Sequence, residues 1–157
     1  MTAAQVGGQT GAHNGANTEA PWWLDLPRES IGIGAELIDQ LLALVVSGEK
    51  TACCGALAMY IGAIPRAGDQ CVLLDGAGQP ACVIEDLEVI VQRFDAVTEA
   101  FALLEGEGDY ATWRAAHEGY FAKHGGFSPD MTVVCERFRV VEVIAEPARL
   151  EGSYRHG

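Results

Sequence analysis

The stretch from Gln70 to Phe94 restricts the possible folds more than any other part of the chain. Gln70 to Leu74 is a β-prone run, Asp75-Gly76-Ala77-Gly78-Gln79 is a polar, glycine-rich connection, and a long returning run begins at Pro80. That order predicts a β-hairpin. Along the returning strand Val83, Leu87, Val89 and Val91 share one parity, broken by Glu85. Cys82, Ile84 and Ile90 share the other, broken by Asp86 and Glu88. Both faces are partly apolar, and the breaks predict a bulge or bend. This pattern suits a strand that wraps a small barrel better than one lying in a flat open sheet.

The flanking segments read mainly as helices. Leu37, Ile38, Leu41, Leu42 and Val45 recur at helical spacing, which predicts a helix over Glu36 to Val46 ended by Ser47-Gly48. A second short helix is expected from Gly55 to Ile61. Val97 to Leu104 and Tyr110 to Lys123 read as a helix pair split by Glu105-Gly106-Glu107-Gly108-Asp109, with Asp109 at an N-cap position. Met131 to Ile144 is the last long strand. No βαβ repeat is visible, so a doubly wound sheet is not expected.

Residues 1–20 contain no Leu, Ile, Phe or Trp. They cannot repay the entropy of ordering and read as a disordered tail. The expected organisation is this tail, an ordered domain over 21–146 and a short polar tail over 147–157. Pro21-Trp22-Trp23-Leu24 reads as a segment pinned on the core, with a ligand-facing platform as the alternative.

Five cysteines, Cys53, Cys54, Cys71, Cys82 and Cys135, have no zinc-like spacing. They read as free thiols of a reducing, cytoplasmic compartment. The N-terminus lacks a signal-peptide pattern, and no apolar run is long enough to span a bilayer. The net charge of −12 argues against broad affinity for duplex nucleic acid. It leaves open a short single strand in a local cleft, and a nucleoside, which carries no phosphate. With no Walker loop, dinucleotide fingerprint or HExxH, neither a cofactor nor a metal is expected.

Several residues carry candidate chemistry. Lys50 is one of only two lysines, so it is not simply a solubilising charge. In a shielded cleft such an amine serves as a base or holds an anion; on a loop it is only solvated. Glu105, Glu107 and Asp109 crowd carboxylates at a helix entrance, where they supply an acid or merely cap the helix. Arg114 and His117 lie three apart on a helix between Trp113 and Tyr120. They could hold a base or phosphate, or form a structural network. Cys53 is a candidate nucleophile only if its thiol is activated.

These motifs together resemble the ASCH family of the PUA-like superfold. Gly48-Glu49-Lys50-Thr51-Ala52-Cys53 is similar to its opening motif, and Leu73 to Ile84 to its central hairpin. Glu105 to Asp109 followed by Trp113 to His117 resembles the acidic and helical motif of its larger members. Phe127 to Met131 with Val133 to Phe138 resembles its closing strand. The resemblance implies an α+β fold, a mixed or antiparallel PUA-like pseudo-barrel sheet with flanking helices.

It also implies RNA binding, single-stranded ribonuclease activity in some members, and amide hydrolysis of acetylated cytidine in small ones by a lysine, a threonine and a glutamate. Carried over, the catalytic positions are Lys50, Cys53 (where the family has threonine) and Glu107. Substrate contacts fall on Thr51, Tyr60, Asp109, Trp113, Arg114 and His117. Three functions are open, the third supported by the departure at Cys53. The first is binding of single-stranded RNA or a nucleotide with weak, metal-independent ribonuclease activity. The second is amide hydrolysis of an N4-acylated cytidine. The third is a non-catalytic regulator or adaptor, and a homodimer is compatible with any of them. The geometric expectation is that Lys50, Cys53 and Glu107 converge on one pocket.

Overall fold

The computed structural model describes residues 19–146. The expected tails over 1–20 and 147–157 fall outside this range, apart from residues 19 and 20. In chain order the elements are β1 (Arg28–Glu29), α1 (Ala35–Ser47), β2 (Ala52–Ala56), β3 (Gln70–Leu74), β4 (Pro80–Arg93), α2 (Glu99–Leu104), α3 (Tyr110–Lys123) and β5 (Thr132–Val143). Short 3-10 turns at Leu57–Met59 and Phe94–Ala96 join them.

The strands form one five-stranded sheet in the order β1-β3-β4-β5-β2. All neighbours are antiparallel except β1 and β3, which run parallel. The central strand β4 bends where its register against β5 shifts, between Val83 and Ile84 and between Asp86 and Glu88. These shifts adjoin the polar interruptions of its apolar pattern.

The bends do not close the sheet, which corrects the expected pseudo-barrel. β1 and β2 stand at opposite edges and, among the described residues, pair with no further strand. β1 is only two residues long, too short to bridge to the far edge. Helices cover both faces instead. On one face Leu42 and Val45 of α1 pack with Leu73, Ile84 and Phe138. On the other Trp113 and Phe121 of α3 pack with Cys54, Phe94, Val133 and Cys135.

The expected helix over Gly55 to Ile61 is also corrected. Ala52–Ala56 is a strand with alternating burial, and only Leu57–Met59 turns helically. Its small residues have weak intrinsic preferences, and pairing along β5 decides the outcome.

The α3-side core is aromatic. Trp113 is fully buried and stacks on Phe94, with ring centroids 5.4 Å apart and planes 8° from parallel. Phe94→Ala should lower unfolding free energy in urea by about 3–5 kcal/mol through cavity formation. Ile61 is 98% exposed, and Ile61→Ala should change stability by less than about 0.5 kcal/mol.

Candidate functional site

Local geometry buries Lys50. Helix α1 stops at Gly48, which is left-handed at φ 87°, and its N–H bonds Val45 O at 3.1 Å. The Lys50 N–H then reaches back to Leu44 O at 3.0 Å, and the Thr51 N–H bonds Leu104 O at 2.8 Å. The chain is thereby fastened to α1 and to the end of α2, with the Lys50 side chain directed inward at 2% exposure.

The lysine ammonium lies between two carboxylates. Nζ is 2.9 Å from Glu105 Oε1 and also contacts Glu107 Oε2. Glu105 is 1% exposed, and its other oxygen accepts from Trp113 Nε1 at 2.8 Å. His117 Nε2 stands 3.5 Å from Glu105 Oε1, and its Nδ1 is 2.9 Å from Trp113 O. Glu105 is thus the centre of a network of lysine, indole and imidazole.

The electrostatics follow from this arrangement. Burial pulls the Lys50 amine down, but Glu105 and Glu107 outweigh it, so the net shift is upward and the amine stays charged. Burial pushes the Glu105 carboxyl up, but Lys50 and then His117 bring it down to about 2. Burial likewise opposes a charged His117, and its bond to Glu105 raises it overall. Burial of the Cys53 sulfur, then the Glu136 carboxylate, push that thiol well above its ordinary value against the pull of Lys50. At rest Cys53 is a neutral thiol and Lys50 lacks the free lone pair of a base.

These groups adjoin a partly open cavity of about 350 Å³. Lys50, Cys53, Glu105, Glu107 and His117 make its polar side. Ile31, Ile33, Leu37, Leu41, Met59, Tyr60 and Tyr120 supply apolar wall. Lys50, Cys53, Glu107, Tyr60 and His117, each singled out in the sequence, therefore share one cavity.

The remaining candidates lie elsewhere. Thr51 directs its hydroxyl to Leu104 O. Asp109 caps α3 by accepting from the Thr112 N–H at 2.8 Å. Trp113 is covered by Phe94 and His117 and presents no open ring face. Arg114 turns outward to Tyr110 and Glu118. Arg114 and His117 are consequently not partners in one strip.

A second acidic group was not apparent from the sequence. Tyr60 OH donates to Glu136 Oε2 at 2.5 Å, and Asp86 hydrogen-bonds Glu136 while its Oδ1 is buried without a partner. Burial first, then Glu136, raise Asp86 to about 8. These acids lie on neighbouring strands of the sheet, so register rather than sequence spacing brings them together.

Glu105, Glu107 and His117 place one donor atom each within 4.8 Å of the others, a set chemically able to ligate a divalent cation. Lys50 already bridges both carboxylates, so a metal would have to displace a buried, doubly paired ammonium. The charge the carboxylates require is supplied by the chain itself.

The ASCH domain family model matches residues 29–142. Among solved structures, the chain is similar to a protein from Enterococcus faecalis V583 described under the family name DUF984. That match has 33% identity and a TM-score of 0.70, covering 76% of this chain and 78% of the other. It is also similar to an ASCH domain from Lactobacillus crispatus JV V101, at 28% identity and a TM-score of 0.68, covering 76% and 82%. No curated protein matches the chain. Among the described residues, no helix is long and apolar enough to cross a membrane.

Two stability tests follow from the ionised network and its acidic neighbour. Lys50→Met strands a buried carboxylate and should lower urea stability by about 3–5 kcal/mol, with part regained in Lys50→Met/Glu105→Gln. A carboxyl raised on folding retains its proton in the folded state. The contribution of Asp86 is therefore complete below about pH 4, declines as pH rises, and is gone above about pH 8. Asp86→Asn should flatten that decline in urea midpoints measured across the same window. Glu105 acts in the opposite sense, stabilising above its unfolded value of 4.5 and losing the contribution as pH falls toward about 2.

Proposed function

The chain belongs to the ASCH domain family, and from that premise we propose that its cavity binds one nucleoside unit, free or as an unpaired residue of single-stranded RNA. The observation that carries this reading is the cavity of about 350 Å³, apolar on its walls and hydrogen-bonding on its floor. That size and lining suit a small planar ligand oriented by a few polar groups. Tyr60 and Tyr120 offer aromatic surface for a base, the role that Trp113, enclosed in the core, does not offer.

Charge favours the base over the phosphate as the part that enters. Lys50 is held by two carboxylates and His117 by one, so neither is an unpaired cation facing a phosphate. The excess of acids, −12 overall, repels phosphate further. This balance weighs against phosphodiester cleavage as the main activity and supports a neutral ligand.

Hydrolysis of an N-acylated cytidine is the second reading, favoured by the contact between Lys50 and Glu107 beside the cavity. In that reaction the ammonium would polarise the acyl oxygen. Water would attack the acyl carbon, Glu107 would take the water proton and return it to the departing amine, and the C–N bond would break. Water fits the attacking role better than Cys53, whose thiol is neutral at rest. A third outcome, a domain that neither binds nor turns over nucleosides, corresponds to the adaptor role.

Calorimetric titration with cytidine, N4-acetylcytidine and a short oligocytidylate distinguishes these readings. The expected result is saturable binding of the nucleosides, weakened about tenfold or more in Tyr120→Ala by loss of stacking. Acetate release from N4-acetylcytidine that disappears in Glu107→Gln would establish the hydrolytic reading. Failure of the folded wild type to bind any of the three ligands would leave the adaptor role.

A further inference from the structure

The cavity has an unusual position relative to the sheet. Cys53, Cys54 and Gly55, three consecutive residues of β2, all line it. Successive side chains of a strand point to opposite faces. Accordingly, Cys53 packs with the α1-side core and Cys54 belongs to the α3-side core. One cavity touches all three residues only if it runs along the edge of the strand. Its walls agree, because Leu41 comes from α1 and Tyr120 from α3, the helices on opposite faces.

The register shows which backbone groups face that edge. The Phe138 N–H bonds Thr51 O at 3.0 Å, and Ala52 stands opposite Arg137. In an antiparallel pair, hydrogen-bonded and non-hydrogen-bonded positions alternate. Counting from Thr51, Cys53 and Gly55 bond across to β5, whereas Cys54, opposite Cys135, does not. The thiols of Cys54 and Cys135 hydrogen-bond across this position, as the closer approach of side chains at non-bonded pairs allows.

The N–H and C=O of Cys54 therefore point away from β5, to a side where no further strand lies among the described residues. Among the described residues neither group has a hydrogen-bond partner. Cys54 is 8% exposed, and buried backbone donors and acceptors nearly always have partners.

We infer that the open edge of β2 reads the ligand: the N–H and C=O of Cys54 form an adjacent donor and acceptor that bind the amide-like edge of a planar heterocycle, such as the hydrogen-bonding edge of an unpaired nucleobase. This inference rests on the nucleoside reading and identifies the contact that orients the base. The ligand's acceptor, the ring N3 of cytosine or a carbonyl oxygen of uracil, receives the Cys54 N–H, and its neighbouring N–H donates to the Cys54 C=O. An added peptide strand suits the edge less well. Beyond Ala56 the chain leaves the sheet through Leu57–Met59, so the edge is short. Tyr60 also lies close over Gly55, where an added Cβ would meet its ring at 3.4 Å.

The test is a calorimetric series on the wild-type chain, combined with amide exchange and the backbone N–H resonance of Cys54. N4,N4-dimethylcytidine and N3-methyluridine, blocked on the reading edge, should bind about tenfold or more weakly than cytidine and uridine. 5-Methylcytidine, enlarged elsewhere on the ring, should stay within about threefold of cytidine. Cytidine should also shift the Cys54 amide resonance and slow its exchange. Equal binding of parent and edge-blocked nucleosides would overturn the inference while leaving the nucleoside reading intact. No nucleoside binding would overturn both. Saturable binding of a capped valine-rich hexapeptide, with exchange slowed throughout Ala52–Ala56, would overturn it in favour of strand addition.

Discussion

A lysine ammonium enclosed between two carboxylates governs the arrangement of this molecule. Three segments remote in sequence must meet to produce it: the reversal after α1, the turn after α2 and the inward face of α3. Gly106 allows the closest of these approaches. At φ 70° it passes Glu49 so tightly that an added Cβ would lie 2.4 Å from the Glu49 carbonyl oxygen. Burying a lone ammonium or carboxylate is strongly unfavourable, so Lys50 and Glu105 each make the burial of the other tolerable. Trp113 and His117 supply further contacts to Glu105.

The same arrangement explains why the sheet stays open. Closure would require β1 to meet β2, but the space beside β2 is occupied by the cavity and its surrounding helices. An exposed strand edge ordinarily invites unwanted pairing. Here the edge is shielded by Tyr60, by the end of α2 and by the residues before α1. The unpaired side of the sheet is thereby turned into an interior wall.

The sequence revealed the elements whose signals are local. Gln70–Leu74 and Tyr110–Lys123 are bounded by clear turn and cap residues, and their limits were legible. β2 was not, because Ala52-Cys53-Cys54-Gly55-Ala56 has little intrinsic preference and becomes a strand only through β5. At the site, the scarcity of lysine and the glycine-flanked acids pointed to Lys50 and Glu107. They did not show that Glu105 is the hub, since that depends on how far α2 unwinds before Gly106. Arg114 and His117 looked like partners because helical residues three apart are neighbours. A residual rotation between them nevertheless puts the imidazole inside and the guanidinium outside. The Asp86–Glu136 contact depends wholly on strand register and has no counterpart in local sequence.

The bond from the Trp113 indole to Glu105 has a consequence for divergence. The largest side chain of the α3-side core also holds the carboxylate on which the charged network turns. Adaptation of the pocket and maintenance of the scaffold therefore draw on the same side chain. A lineage altering either one must cross an intermediate in which the other is impaired, unless both change together. Innovation is freer at the apolar rim, where Met59 and Ile33 touch the cavity without belonging to the network.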